Sequence, residues 1–570
     1  MASYNSYESM KRGKDTTKLV TDLGHDEVRE YLLRSRAFFN GDLPSYICFD
    51  ELLRKVEGEI AGLDDGVREK IVKALSEAPN ANYRILMNKD GMFAWRPHEI
   101  IHPALYVLLV HQITDQENWS ILKKKLSSLK DEARGLVESY SMPVVVEDER
   151  RETREQILHW WEEIEQRSLR YSLEFTHLAI ADIADCYGSL YTHSIAWAVH
   201  DRAEAKGKRW DKGLLGNKID RLIRSGRGGQ TNGIPQGSLI SDLLAEMVLL
   251  YLDSNIAQEL DRRRRERSIE EVRIVRYRDD YRIFANSDKD LNLILLILEE
   301  QLRSVGFKLN HAKLSLKSPV IIASLKPDKW VFLEQRLEEE LDREEISGPN
   351  LHKLFLRIHR FAQEFPNSGS LKKYLSGVYE KLYNARKELR ESAHNGKISD
   401  VGVLVALTVD IGLSSPRVLP EVASVLSLLL TLIPKKEERE DLWAKIYNRF
   451  RVVPHNGYWD IWLQRIAIPS GLPFPIGEGS VDPICRLVSG ADVELWDRSC
   501  LSKDFVHLHS ALDPQNIIDR DKLEQLKKPD SQGDLDSESG DMAGDEWFDD
   551  EWLDQDRVPI PPSEIDNFFY

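Results

Sequence analysis

The sequence predicts an α+β core of mixed strands and helices, then an all-helical region, then an acidic tail. Three observations predict it. Between residues 166 and 340, apolar strand-like runs ("FTHLAIADI", "EVRIVRYRDDYRIFA", "WVFLE") alternate with helical ones ("LISDLLAEMVLLYLDSNIAQELDRRRR", "KDLNLILLILEEQLRSVG"). From 345 to 520 helical patterns dominate. From 525 to 570 the chain turns polar and acidic with Gly, Ser and Pro, a composition expected to stay disordered.

Residues 1–165 combine helical segments ("DEVREYLLRSRAFF", "GVREKIVKALSEA", "REQILHWWEEIEQRSLR") with "NYRILMNKDGMFAWRPHEIIHPALYVLLVHQI", in which short strands precede a helix. In the helical region, "NLHKLFLRIHRFAQEF", "GSLKKYLSGVYEKLYNARKELRESA", "DVGVLVALTVDIGL", "LPEVASVLSLLLTLI" and "EREDLWAKIYNRF" suggest helical pairs stacked as a HEAT-like solenoid, although no fixed repeat period is visible. Two strongly apolar helices in succession there point either to a large core or to a contact between copies, hence to a homo-oligomer.

At 570 residues, 42% hydrophobic and 30% charged, the chain has the composition of a soluble globular protein of two or three domains. It shows no apolar run of membrane-spanning length and no apolar signal core at the N-terminus, so a cytoplasmic location without a membrane partner is expected. Cys48, Cys186, Cys485 and Cys500 lack C-x-x-C spacing, which argues against zinc and against a disulfide framework. The net charge of −17 is mostly tail: from Asp530 to Tyr570 there are fourteen Asp and Glu against one Arg, a net −13, which leaves −4 for the rest. Upstream, Arg262 to Arg267 and Lys208 to Arg227 have the basic density that tracks a phosphate backbone, or equally that of a solvated helix face.

The chemistry is expected at "RYRDDYRIF", Arg276 to Phe284, where Asp279 and Asp280 sit side by side at a hairpin tip. Mutual repulsion raises the cost of ionising both, so the pair is either a solvated turn or a site for a divalent metal. About a hundred residues upstream an apolar strand delivers Asp182, with Asp185 and Tyr187 following at spacings of three and five. Between the two lies "GQTNGIPQGSLISDLLAE", a Gly-Pro turn opening onto a helix. Two Mg2+ ions about 4 Å apart, bridged by carboxylates from separate strands, can activate a 3' hydroxyl and stabilise a leaving pyrophosphate. Asp182 and Asp279 are the expected ligands. Asp280 is the supporting one, because neighbouring strand residues point to opposite faces.

Asp182 with Tyr187, then "GIPQG", then "YRDD" resemble motifs A, B and C of reverse transcriptases, "VGFKLNHAKLSL" is similar to motif D, and "KWVFLE" holds the place of the primer-grip hairpin. The resemblance implies right-hand fingers and palm, with catalytic Asp182, Asp279 and Asp280 and with Ile183 as a further metal contact. It also implies that the backbone near Asp185 cradles the triphosphate and that Tyr187 stacks under the sugar. Gln236 and Gly237 would contact the incoming nucleotide or template, and Lys313 would donate a proton to pyrophosphate. The Tyr187 ring would collide with a ribose 2' hydroxyl, so DNA made from dNTPs is the expected product. In the fingers, Lys89 and Arg96 are candidate cations for the triphosphate, Arg96 the better, whereas the apolar neighbours of His102 and His111 suggest helix packing.

A narrower resemblance, carried by "LPSYICFDELL", "NKDGMFAWRPHEIIHPALYVLLVHQI", "YTHSIAWAVH" and "NGYWDIWLQRI", is to bacterial abortive-infection and defence-associated reverse transcriptases. It implies a helical-repeat domain in place of the thumb, a template RNA, non-coding or otherwise, and a role in anti-phage defence. The alternatives are an untemplated or repetitive-DNA polymerase and a catalytically idle RNA-binding scaffold, against which the intact carboxylates argue. The tail interleaves acids with aromatic residues, which suits a nucleic-acid mimic or a priming tyrosine, with Tyr570 as a candidate, as well as a plain solubilising run.

Overall fold

The computed structural model describes residues 18–78, 81–145, 161–317, 319–335, 348–396, 398, 400–477, 481–501, 505–527 and 559–562. A hairpin of β1 (Tyr83–Asn88) and β2 (Trp95–Ile100) leads into two helices, α1 (Pro103–Thr114) and α2 (Gln116–Ala133). His102 caps α1, its Nδ1 accepting from Ala104 N at 3.2 Å, and burial pushes its imidazole down to about 4, in keeping with a packing role. His111 faces Glu57 at 3.5 Å.

The centre is a five-stranded sheet of β3 (Val137–Ser139), β4 (His177–Asp182), β5 (Arg273–Tyr277), β6 (Asp280–Ala285) and β7 (Ser315–Lys317), in the order β3-β5-β6-β4-β7. Only the β3–β5 pair is parallel. Side chains alternate between two apolar layers. Ile274, Tyr281, Ile283 and Ala285 join the main core, while Val275, Phe284 and Leu178 join a second cluster with Phe175 and Val320. The expected strand–turn–strand reading of "EVRIVRYRDDYRIFA" is therefore correct, with both faces of the sheet buried.

Two helices pack beside the sheet: α3 (Leu239–Arg265), begun by Ser238 whose hydroxyl accepts from Ser241 N at 3.2 Å, and α4 (Asp288–Ser304). Asp242, Glu246 and Asp253 lie four and seven residues apart on α3, hence on one side of it. Under the Asp-Asp hairpin Glu246 and Asp253 meet Arg276, fully buried, which donates Nε to Asp253 at 2.8 Å and its two terminal nitrogens to Glu246 at 2.8 and 2.9 Å. Ser139 of β3 donates to Glu246 at 2.6 Å and Tyr281 to Asp253 at 3.4 Å, so the cluster also ties in β3 and β6. The basic run at the end of α3 is paired: Arg262 and Arg263 bond Glu259, and Arg264 bonds Glu271. It behaves as the solvated face, with its charge largely neutralised in place.

One expected strand is a helix. "WVFLE", offered as strand and as the place of a primer-grip hairpin, lies in the helix Pro327–Gln335. Pro327 at its first position and Asp328 in its first turn favour the helix, and a run of four apolar residues does not fix a period. Ser370 donates to Asp328 at 2.7 Å and the Phe332 ring packs 4.3 Å from Tyr374, which fastens this helix to the following region.

That region contains α5 (Gly348–Glu364), α6 (Gly369–Asn384), α7 (Val401–Ser414), α8 (Leu419–Thr431) and α9 (Gly457–Ser470), with α5 on α7, α7 on α8, α6 on α8 and α8 on α9. Every residue of α8 is buried, so the apolar faces that suggested a contact between copies are largely covered within the chain. Among the described residues no single helix is long and apolar enough to cross a membrane. The β1–β2 hairpin rests on this region: Asn88 donates to the Pro454 carbonyl at 3.2 Å and the Trp95 and His455 rings lie 4.3 Å apart. Ile560 is buried between α6 and α8, its N–H donating to Ser427 Oγ at 3.0 Å and its carbonyl accepting from the Tyr379 hydroxyl.

Removing Arg276 leaves two buried carboxylates without their cation. Arg276→Ala is expected to lower stability by about 3–5 kcal/mol, read as a shift of the urea midpoint at unchanged slope.

Candidate active site

Strands β4 and β6 pair so that Asp182 faces Asp280, and beyond the last pair Ile183 N donates to the Asp279 carbonyl at 3.1 Å. The end of β4 and the tip of the β5–β6 hairpin are therefore brought to one place. The tip is a two-residue turn, Arg278-Asp279, with Arg278 at φ +52°. A left-handed arginine is unfavourable. It is held by Ser141, whose hydroxyl accepts from Arg278 N at 2.5 Å, and by Arg276, which donates to the Arg278 carbonyl at 3.1 Å.

Asp182 Oδ1 lies 2.9 Å from the Lys313 ammonium, and its Oδ2 accepts from Asn310 Nδ2 at 3.1 Å. Burial, reinforced by Asp182, pushes the Asp279 carboxyl up, and burial with Asp279 and Asp182 pushes Asp280 up to about 6. Among the described residues no group of three His, Cys, Asp or Glu forms a ready-made metal cage. The donor set still suits a divalent ion: one carboxylate already holds a cation and two more are destabilised by negative charge that a metal would offset.

Asp185, at φ +47°, turns the chain from β4 into the short helix Cys186–Ser189. Tyr187 on that turn donates its hydroxyl to Asp242 Oδ1 at 2.5 Å, and the other Asp242 oxygen lies 3.4 Å from Arg278. The Tyr187 ring is thus tied to both α3 and the Asp-Asp hairpin. The Gly-Pro turn closes against it: Ile234 N donates to the Tyr187 carbonyl at 2.8 Å, and Gly233, at φ +80°, would place a Cβ 2.6 Å from the Gly188 carbonyl. Gln236 and Gly237 act through backbone, their carbonyls accepting from Glu99 N and Asn40 N, both at 2.8 Å, which joins this turn to β2.

Arg96 lies on β2 opposite Met87, and Lys89 follows β1. Burial and Arg96 push the Lys89 ammonium down, while Asp185 pulls it up. The sequence-predicted residues Asp182, Ile183, Asp185, Tyr187, Asp279, Asp280 and Lys313 therefore cluster, with Gln236 and Gly237 adjoining and Lys89 and Arg96 facing them. Tyr570 lies outside the described residues. Sequence reasoning missed Arg417, from the turn between α7 and α8, which interacts electrostatically with Arg96, Asp279 and Asp280. It also missed Asp242, Glu246 and Arg276, although three acids on one side of the mostly apolar first half of α3 were a usable signal.

Carboxylates on adjacent strands of a helix-backed sheet, with cations facing them, are an arrangement suited to nucleotidyl transfer. Residues 119–337 match the family model described as reverse transcriptase (RNA-dependent DNA polymerase). The chain carries a reverse-transcriptase domain, with palm and fingers, and is an RNA-directed DNA polymerase. Among solved structures it is similar to apo telomerase from Candida tropicalis, at 14% identity over 64% of this chain and 67% of that chain, with a TM-score of 0.28. It is also similar to telomerase from Candida albicans in complex with the TWJ fragment of telomeric RNA, at 12% identity over 70% of this chain and 68% of that chain, with a TM-score of 0.24. No curated protein matches the chain.

The raised Asp280 gives a signed pH effect. Its native value of about 6 exceeds the ordinary 3.8, so the folded state holds the proton more tightly and stability rises as pH falls from about 6 toward 3.8. Without metal, Asp280→Asn is expected to stabilise the chain at pH 8 by on the order of 2 kcal/mol. In urea titrations that gain should shrink between pH 6 and 4.

Proposed function

We propose that this chain copies an RNA template into DNA in bacterial anti-phage defence, a reading supported by its reverse-transcriptase domain and by its resemblance to abortive-infection and defence-associated reverse transcriptases. One observation carries the polymerase reading most directly. The Asp182 strand end and the Asp279-Asp280 tip meet at one point, and there Lys313 pairs with Asp182 where a metal ion would bind.

Asp182 and Asp279 would hold two Mg2+ ions, with Ile183 and Asp280 in support. When bound, these ions would activate the attacking 3' hydroxyl and neutralise the leaving pyrophosphate. The protein's own groups do the rest. Tyr187, fixed by its hydrogen bond to Asp242, would form the floor of the sugar pocket and collide with a 2' hydroxyl. Lys313, once free of Asp182, is a flexible ammonium able to protonate pyrophosphate. Asp185, through its backbone, and Arg96 face the triphosphate, while Gln236 and Gly237 bound the template side.

The wider reading assigns residues 1–165 to N-terminal helices and fingers, 166–340 to the palm, 345–520 to a HEAT-like domain in place of a thumb, and 525–570 to an acidic tail. It makes the template a non-coding RNA and the protein cytoplasmic, with Tyr570 a candidate primer. An untemplated polymerase of the same fold would share the site but not the dependence on RNA.

Asp279→Ala combined with Asp280→Ala is expected to cut dNTP incorporation on the order of 10³-fold or more and to abolish phage resistance, with the circular dichroism spectrum unchanged. Retained resistance would favour the scaffold reading. Tyr187→Ala should reduce discrimination against ribonucleotides by about 10- to 200-fold in single-nucleotide incorporation. An unchanged preference for dNTPs would remove Tyr187 as the gate.

A further inference from the structure

Asn367, between α5 and α6, holds two distant segments with one side-chain amide. Its Nδ2 donates to the Lys89 carbonyl at 2.9 Å, and its Oδ1 accepts from Arg417 N at 2.9 Å. Its own N–H donates to Ser415 Oγ at 3.2 Å, and its φ of +59° is one that Asn tolerates better than most residues. Beside it the hairpin meets the helical region backbone to backbone: a Cβ on Gly91, at φ +71°, would lie 2.3 Å from the Leu413 carbonyl.

This clasp brings a cation from each side to the same cleft. Lys89 and Arg417 repel one another, and both repel Arg96. None of the three makes an ion pair or a side-chain hydrogen bond among the described residues, and Arg417 is exposed. Within the same cluster His98 is held neutral, down to about 4, by burial and by these three charges, and its Nδ1 is buried without a hydrogen-bond partner among the described residues. Across the cleft Arg417 feels the opposite charge of Asp279 and Asp280. Three unneutralised cations held together on one side, and crowded carboxylates on the other, form a binding site for a compact polyanion that a metal links to the carboxylates. Phosphates of a nucleic-acid strand would instead call for cations strung out along a groove.

We infer that Arg417, supplied by the helical region and set by Asn367, binds the polyphosphate of the incoming nucleotide together with Lys89 and Arg96. The inference rests on the polymerase reading, and the direct-binding arm of its test does not.

The full-length chain and its Arg417→Ala, Arg417→Lys and Asn367→Gly variants would be compared in two ways: binding of inorganic tripolyphosphate by calorimetry, and KM for dNTP and for the RNA template-primer. Arg417→Ala is expected to weaken tripolyphosphate binding and to raise the dNTP KM about tenfold or more, with the template-primer KM unchanged. Arg417→Lys should recover part of the loss. Asn367→Gly, which keeps the backbone conformation and removes the clasp, should raise the dNTP KM in the same way. Unchanged tripolyphosphate affinity in Arg417→Ala would overturn the inference, as would a raised template-primer KM with the dNTP KM intact. If the parent chain incorporates no nucleotide, the polymerase reading fails and the tripolyphosphate arm alone decides for or against Arg417.

Discussion

A guanidinium sealed from water needs partners within the protein, and Arg276 finds them on every nitrogen. Nε donates to Asp253, one terminal nitrogen to Glu246 and the Arg278 carbonyl, and the other to Glu246, with an Asp253 oxygen 2.7 Å from it as an ion pair. The two carboxylates both stand on α3 and are held in turn from the sheet, Glu246 by Ser139 of β3 and Asp253 by Tyr281 of β6. The hairpin tip that carries Asp279 is thereby set against α3 from beneath. Two buried carboxylates around one buried arginine are individually expensive to desolvate, and the arrangement is sustained because opposite charges and hydrogen bonds meet on every nitrogen of the guanidinium. What it gives in return is position: Arg278 stays in a strained backbone conformation that Ser141 and Arg276 both brace.

The same helix side extends the effect to the sugar pocket. Asp242, four residues before Glu246, receives the Tyr187 hydroxyl and faces Arg278, so one row of acids on α3 aligns the hairpin and the ring across the cleft from it. Opposite that row the charges reverse sign. Carboxylates gather where β4 and β6 end, and Lys89, Arg96 and Arg417 gather where the β1–β2 hairpin meets the helical region. The protein alone leaves both groups electrostatically unfavourable, which is the state expected of a site completed by a metal-bound polyanion.

How much of this was legible depended on how local the cause was. The hairpin and α3 could be read because apolar strand-like runs on either side of the two aspartates, and a Gly-Pro turn opening onto a long helical pattern, are written within the segments themselves. The carboxylate trio was legible because chain order and spacing survive without coordinates. Helix Pro327–Gln335 was misread because four apolar residues fit either period, and the arbiter, its packing on Tyr374, lies in another element. Arg417 carried no signal at all: it belongs to a turn between apolar helices, and only the Asn367 clasp turns it toward the site. Arg276 was visible as a charge in an apolar strand, yet its partners become obvious only once α3 is seen to lie under the sheet.

Ile560 bears on the order in which the molecule is assembled. Its hydrogen-bond partners precede it by 133 and 181 positions, so the slot between α6 and α8 has already been synthesised long before the residue that fills it exists. Because closure entropy grows only with the logarithm of loop length, joining such distant points is thermodynamically modest. Its timing is not modest: on the ribosome the palm and most of the helical region can fold first, and this contact comes late. A shorter chain ending before Ile560 would therefore differ from the full one by more than its charge, since it would expose an apolar slot in a nearly finished core.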